Sequence, residues 1–463
     1  MLNSKSIAIV IFWVVISVFM GLVAVLVASM SNGNYLAILG LPALIIIGML
    51  FVFNRNLLFL LIIFARVSID PFIVNSKMGA LGLGLVLNLF VIFMAVNVYP
   101  TLSLQLKKLL KNSWLVFIVM LLCSLVFSAD FINALKITVN IIAGGAVFII
   151  GLSLIKNDED YGKWLRIILL SSVIPIGYAL LEKFLGISHF RGTEGYRLQG
   201  VFFHPNVLGF YSVLMISVCL LIMKTDIKIF NRLIKNIIPF FAILILAVLL
   251  LTKTRSAWVG CFVFIVLYGL FFEKKYLLYM SVIIGVALCI PDVQDRLLNV
   301  SEGEAVWGHG QLNSYSWRQL IWHDGLSWMK PSRYIFGYGL DSFKDKSALF
   351  FTLYGGQPIG AHNIYVQLFF EVGFLGLAAY IYMNFSLIKY LFKFYYLNKL
   401  TSFIAIGLII EYALFAYSDN MFGYLSFSWI FWFVLGVAIS YLDCKSKATI
   451  NTADTPTKLQ PKY

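Results

Sequence analysis

Apolar positions along this chain fall into long blocks, each closed by a short polar link. A helix needs about 20 predominantly apolar residues to cross a bilayer core. Blocks of that order begin near Ile7, Tyr35, Leu57, Leu81, Ser113, Asn133, Leu165, Asn206, Ile237, Ala257, Tyr276, Asn363, Ser402 and Tyr424. The Leu57 block is the weakest, because it holds Arg66, Asp70 and Pro71, and the Ser113 block is short. The pattern predicts an all-α polytopic membrane protein with twelve to fourteen transmembrane helices. The stretch 291–361 is too long and too polar for a link and is read as one large loop between late spans. Inside it, Asn313 to Met329 has helical spacing, with Trp317, Leu320, Ile321 and Trp328 on one face. With Trp307 and Trp322 nearby, such a loop suits the membrane interface over the ends of the spans. The first block is longer than the core of a secretory signal and reads as a retained span. The tail after Lys445 is polar and is expected to be disordered.

Composition removes other classes. With 61% apolar and 12% charged residues and a mean hydropathy of +0.91, the chain has too little polar surface to coat a water-soluble body. The net charge of +14 does not point to nucleic acid, because the cations sit in short clusters at the ends of apolar blocks. These clusters are Lys107, Lys108 and Lys111; Lys156, Lys163 and Arg166; Lys224, Lys228, Arg232 and Lys235; Lys274 and Lys275; Lys389, Lys393 and Lys399; and Lys445, Lys447, Lys458 and Lys462. The positive-inside rule puts them, and both termini, on the cytoplasmic face. Counting spans then puts 183–205, 253–256 and 291–361 together on the opposite face. Four of the five cysteines lie within apolar blocks and none are closely paired, so no disulfide framework or zinc motif is readable. There is no Walker loop, dinucleotide fingerprint or serine elbow, which argues against an ATP-driven pump.

Three outer segments hold the candidate chemistry. Arg197 to Gly200 and His204-Pro205-Asn206 lead into a span; Lys253-Thr254-Arg255-Ser256 is a hairpin between two spans; His362-Asn363-Ile364-Tyr365 opens the span after the large loop. Arginine offers fixed charge and bidentate geometry suited to phosphate, and histidine exchanges a proton near neutral pH. The set suits a diphosphate leaving group and an incoming hydroxyl. Each residue also has an ordinary reading. Arg255 and Lys253 could be interfacial anchors, a histidine at a span entrance could be a cap, and His189, His309 and His323 fit no metal spacing. Asn363, Gln367 and Glu371 share one helical face. A polar stripe within a span turns inward, toward a wet cavity or toward hydrogen bonds with neighbouring helices.

These segments resemble the O-antigen ligase and polysaccharide polymerase family of bacterial envelopes. The resemblance rests on Arg197-x-x-Gly200-x-Phe202-x-His204-Pro205-Asn206, on Thr254-Arg255-Ser256-Ala257-Trp258-x-Gly260, and on His362-Asn363-x-Tyr365-x-Gln367 with Glu371-x-Gly373. Trp317-Arg318, Trp322 and Phe336-Gly337-Tyr338-Gly339 in the loop add to it. It runs from Gly186 to Leu377; the N-terminal half is similar only as a series of spans.

The resemblance implies an N-terminal transmembrane bundle over 1–185, a ligase- or polymerase-like region over 186–444 with the extracytoplasmic loop 291–361, and a cytoplasmic polar tail over 445–463. It implies the C-type glycosyltransferase membrane fold in the bacterial cytoplasmic membrane, with the active site on the extracytoplasmic face. The activity implied is inverting transfer of a glycan from undecaprenyl diphosphate to an acceptor sugar hydroxyl, with no cofactor and no metal. Carried over residue by residue, His362 is catalytic, and Arg197 and Arg255 bind the diphosphate. Arg318, His204, Asn206, Lys253, Asn363, Gln367 and Glu371 are candidate substrate contacts. The partners implied are a lipid-linked glycan donor, a glycan or lipid-linked glycan acceptor, and membrane lipid, with no nucleic acid. The modest loop favours a polymerase; a ligase handing the glycan to lipid A core is the alternative. A lipid-linked oligosaccharide flippase is the rival from another class, expected to carry charge through the bundle and to show repeat-related halves. A scaffold without chemistry is a third reading.

Overall fold

The computed structural model describes residues 46–68, 82–187, 190–192, 195–227, 230–289, 293–294 and 314–453. The block at Ile7 and most of that at Tyr35 lie outside the described residues, as do Asp70, Pro71, His189, Trp307 and His309. The chain divides into two compact units, 1–65 and 66–463. In the first, residues 46–65 are helical on both sides of Asn54.

The second unit is an all-α membrane bundle. Its long helices are α1 (Gly82–Val98), α2 (Leu104–Phe127), α3 (Phe131–Leu152), α4 (Asp158–Leu185), α5 (Pro205–Lys224) and α6 (Arg232–Leu251). Two shorter apolar helices follow, α7 (Arg255–Phe271) and α8 (Lys275–Leu288). The loop contributes α9 (Ser314–Trp328) and α10 (Ser342–Phe350), and α11 (Ile364–Lys393), α12 (Lys399–Ser418) and α13 (Leu425–Ala453) complete the bundle. Among the described residues nine helices are long and apolar enough to cross a membrane, and three more are apolar but shorter. Every block expected from Leu81 onward is a helix. One antiparallel hairpin, β1 (Phe190–Gly192) with β2 (Gly195–Arg197), lies between α4 and α5.

The helices begin where the sequence supplies caps. The side chains of Asp130, Asn157, Asn231, Asn363 and Asn398 each accept a backbone N–H from the first turn that follows, a device worth about 1 kcal/mol apiece. Nearly all residues of the apolar stretches of α5 and α13 are buried and form the centre, whereas most of those in α1 and α6 are not. Helix α13 crosses α3 closely because Gly151 and Gly436 meet there; a Cβ on Gly436 would lie 2.7 Å from the Phe148 carbonyl.

The described members of the basic clusters collect at one end of this bundle. Lys224, closing α5, and Lys275, opening α8, pair with Glu273 at 2.5 and 2.6 Å. Lys445 pairs with Asp158 at 2.7 Å and Lys447 with Asp443 at 2.6 Å. These ties carry α13 past Lys445 as a helix to Ala453, over residues whose polar composition alone predicts disorder.

The loop docks at the other end. Ile321 and Trp322 of α9 are buried with Phe343, Phe351, Ala361 and Phe370, and Trp317, Leu320 and Trp328 pack against this cluster. The expected apolar face of α9 is therefore turned onto the loop's own core and α11. Helix α11 breaks at Gly373 (φ 76°), and the loop zips onto the break. Tyr338 N and Gly339 N donate to the carbonyls of Phe370 and Glu371 (3.0 and 2.8 Å), and Phe374 N donates to Tyr334 O (2.7 Å). A Cβ on Gly373 would run into the Ile335 carbonyl, and one on Gly337 into that of Glu371. The motifs Phe336-Gly337-Tyr338-Gly339 and Glu371-x-Gly373 are two sides of one junction.

Candidate functional site

At the loop end the three outer segments meet around a residue that belongs to none of them, Asp419. It follows α12 and is buried. Its Oδ1 accepts from His362 Nδ1 (3.1 Å) and Asn420 N (2.9 Å). Its Oδ2 accepts from Asn206 Nδ2 (2.5 Å) and the Tyr424 hydroxyl (2.9 Å). A carboxylate offers about four lone-pair positions, so Asp419 is saturated. Burial opposes its charge, but the His362 hydrogen bond, the charges of His362 and Arg318, and the Asn206 hydrogen bond hold it well below the usual carboxylate range. Being ionised, it can only accept, so the proton on the facing imidazole nitrogen is at Nδ1. Nε2 is left as the acceptor whenever the ring is neutral.

His362 itself is accessible: its side chain is 39% exposed, against 1% for Asp419. It stands at a left-handed φ of 48°, a conformation uncommon for a non-glycine residue. Two contacts from α9 bear on it. Trp322 Nε1 donates to Ala361 O (2.6 Å), and the Trp317 ring stands edge-on to the imidazole at 5.8 Å.

The network continues from Asp419 to the arginine. Asn206 Oδ1 accepts from Arg197 Nη2 (2.7 Å) and from Thr254 Oγ1 (3.3 Å), which fixes the amide orientation. Arg197 Nε donates to Thr252 O (2.9 Å), joining β2 to the link between α6 and α7. Burial lowers the Arg197 guanidinium to about 10; Asp419 and Tyr424 oppose this, and the charges of Arg318 and Arg255 add to it. The charge of Arg318 also bears on Arg255. The three guanidinium charges thus bear on one another, and those of Arg197 and Arg318 bear on one carboxylate whose acceptor positions are filled.

The remaining candidates have other placements. His204 caps α5, its Nδ1 accepting from Asn206 N (3.1 Å). Burial drives it down to about 4, with the Arg197, His362 and Arg318 charges adding and Asp419 opposing, which keeps the ring neutral. Lys253, at a left-handed φ of 53°, lines an adjacent cavity of about 160 Å³ with Lys183, Tyr196 and Glu182. Asn363 caps α11 through Tyr365 N (2.9 Å) and Val366 N (3.2 Å). Gln367 Oε1 accepts from Asn420 Nδ2 (2.9 Å), and its Nε2 donates to Glu371 Oε1 (3.1 Å). Glu371 also accepts from Phe343 N (3.3 Å), tying α10 to α11. The polar stripe along α11 is therefore engaged in protein hydrogen bonds. Among the described residues no three His, Cys, Asp or Glu side chains gather as metal ligands would.

Residues 240–381 match the O-antigen ligase family, so this region is similar to that family of membrane glycosyltransferase-type enzymes. Arg255, Arg318 and His362 fall inside the matched region; Arg197, Asn206 and Asp419 fall outside it and join it through the hydrogen bonds above. No curated protein matches the chain.

Proposed function

We propose that the chain polymerises a surface polysaccharide on the extracytoplasmic side of the bacterial cytoplasmic membrane. The donor is a glycan on undecaprenyl diphosphate and the acceptor is a sugar hydroxyl of a second lipid-linked glycan. The single observation that carries this reading is an accessible imidazole, oriented by a saturated buried carboxylate, beside three clustered guanidinium groups. The acceptor oxygen attacks the anomeric carbon from the face opposite the diphosphate. The new C–O bond forms as the bond to the phosphate oxygen breaks, inverting the centre. His362 Nε2 takes the hydroxyl proton, and undecaprenyl diphosphate departs with the electron pair. Arg197, Arg255 and Arg318 offset the charge that develops on it, a role in which preorganised cations lower the barrier. Asp419 touches no substrate and positions His362. The lysine clusters at the opposite end support the outward assignment of this site, and the gathering of charge at one end supports surface chemistry over passage through the bundle.

The test is reconstitution of the purified chain in vesicles with a lipid-linked repeat. Longer lipid-linked glycans from donor alone, formed in excess chelator, are the expected result. Product only when lipid A core is added would make the chain a ligase. Translocation of the lipid without transfer to either acceptor would overturn the reading. The outward assignment has its own check: a cysteine placed at 255 should be labelled by an impermeant reagent in intact cells.

A further inference from the structure

The polar stripe on α11 does not tie one span to another. Gln367 and Glu371 are both buried, a costly placement for polar groups in a span. Hydrogen bonds that glue spans together run to a facing span. Here the partners are a link and a loop: Asn420, between α12 and α13, and Phe343, in the first turn of α10. Glu371 Oε1 accepts from Phe343 N (3.3 Å), so the Gln367 amide turns its nitrogen toward that oxygen (3.1 Å). The amide oxygen then faces the link and accepts from Asn420 Nδ2 (2.9 Å). Both amide orientations are thereby fixed.

Asn420 carries this series of bonds to the site. Its backbone N–H donates to Asp419 Oδ1, the oxygen that His362 Nδ1 also meets. No helix holds either residue: Asp419 is extended (φ −159°, ψ 167°) and Asn420 stands at φ −87°, ψ 84°. Asp419 N donates to Phe415 O (3.0 Å) and Gly423 N to Asn420 O (3.1 Å), which closes the link locally. Two side chains of the α11 entrance bond to the link, His362 to Asp419 and Gln367 to Asn420. The first bond involves the ring that changes charge when it takes a proton. The second joins two neutral amides and is the same before and after. It can hold Asp419 still against the helix entrance that carries the imidazole.

We propose that Gln367 is a positioning residue for glycan transfer: through Asn420 it fixes Asp419, and with it the His362 imidazole, relative to the loop anchored on Glu371. The proposal rests on the reading of His362 as the base. Gln367 touches no substrate. Its loss leaves the arginines in place and lets the carboxylate and imidazole drift from the geometry that transfer needs, an error to which rates are sensitive.

Full-length variants in vesicles are given the lipid-linked repeat, and kcat, KM and membrane abundance are measured together. Gln367→Leu and Asn420→Ala open the same bond from opposite sides. Each should lower kcat roughly tenfold, with KM within about twofold of wild type and abundance unchanged. The double variant should be no slower than the slower single one, because one open bond already breaks the series. Asn384→Ala removes an amide that bonds within α11 (Nδ2 to Tyr380 O, 2.9 Å) and should leave transfer unchanged. Wild-type kcat in both single variants, with His362→Ala inactive, overturns the positioning role and leaves the base standing. Losses that multiply in the double variant overturn it too, because they mark two independent packing defects. So does a raised KM with kcat unchanged, which marks a substrate contact. Wild-type kcat in His362→Ala would remove the base itself, and the proposal with it. Asn420→Ala leaves Gln367 bonded to Glu371, so it decides the matter even where Gln367→Leu fails to accumulate.

Discussion

Positive charge collects at both ends of the bundle, and the two collections are built differently. At one end Lys224, Lys275, Lys445 and Lys447 each meet a carboxylate within 2.7 Å. At the other, the charges of Arg197, Arg255 and Arg318 bear on one another, and those of Arg197 and Arg318 on Asp419, whose oxygens already accept four hydrogen bonds. Flexible lysines matched at a water-facing end give topology and little stability. Partly buried guanidinium groups that repel one another, with a single carboxylate nearby, are costly for a protein to assemble, and an arriving anion would offset that repulsion.

The largest effect is expected at His362. His362→Ala should lower transfer by on the order of 10³-fold, the range of a lost general base, with membrane abundance unchanged; quantitative blotting beside the transfer assay separates this from a folding defect. Asp419→Asn comes next. The amide keeps the shape but sets a donor against donors, so the imidazole loses its fixed orientation. Turnover should fall on the order of 10²-fold with little change in KM, and a change in KM alone would contradict the positioning role. Arg255→Lys keeps the charge and loses the planar fork, for a loss of roughly tenfold in kcat. Equal turnover by Arg255→Lys and the wild type would mean that point charge suffices.

Two weaker perturbations sharpen the contrast. His204 is driven down to about 4 from an ordinary 6.5, chiefly by burial. Its neutral form therefore contributes stability that is present above pH 6.5 and is lost as pH falls toward 4. Thermal unfolding should show Tm declining through that window, and His204→Asn, which retains a cap acceptor, should flatten the decline. At the opposite end, Lys224→Ala removes a partly exposed pair and should cost about 1 kcal/mol or less, with transfer unaltered. A large loss of transfer there would erase the distinction between the two ends.

Much of this was legible in the sequence. Hydropathy blocks located the helices because lipid leaves few alternatives to an apolar run of that length, and Arg197, Arg255 and His362 stood out as ionisable residues at span entrances. Asp419 did not. An acid in a short link between spans reads as a solvated charge, and its partner His362 is 57 positions away. Span counting does bring the link 419–424 to the same end as His362, and that signal could have found it. The stripe Asn363, Gln367 and Glu371 was legible as a shared face. Its partners were not, because Asn420 and Phe343 reach it only through the packing of α10, α11 and the link after α12.

The central claim is that the end with surplus arginine binds the diphosphate while His362 moves the proton. It is tested most directly by measuring donor binding and single-turnover transfer on the same vesicle preparation of His362→Gln. Glutamine can hydrogen-bond the acceptor hydroxyl but cannot take its proton. The account predicts donor binding within about twofold of wild type and transfer reduced by on the order of 10²-fold or more. Transfer at the wild-type rate with donor bound would contradict it, leaving His362 as a structural residue of the α11 entrance.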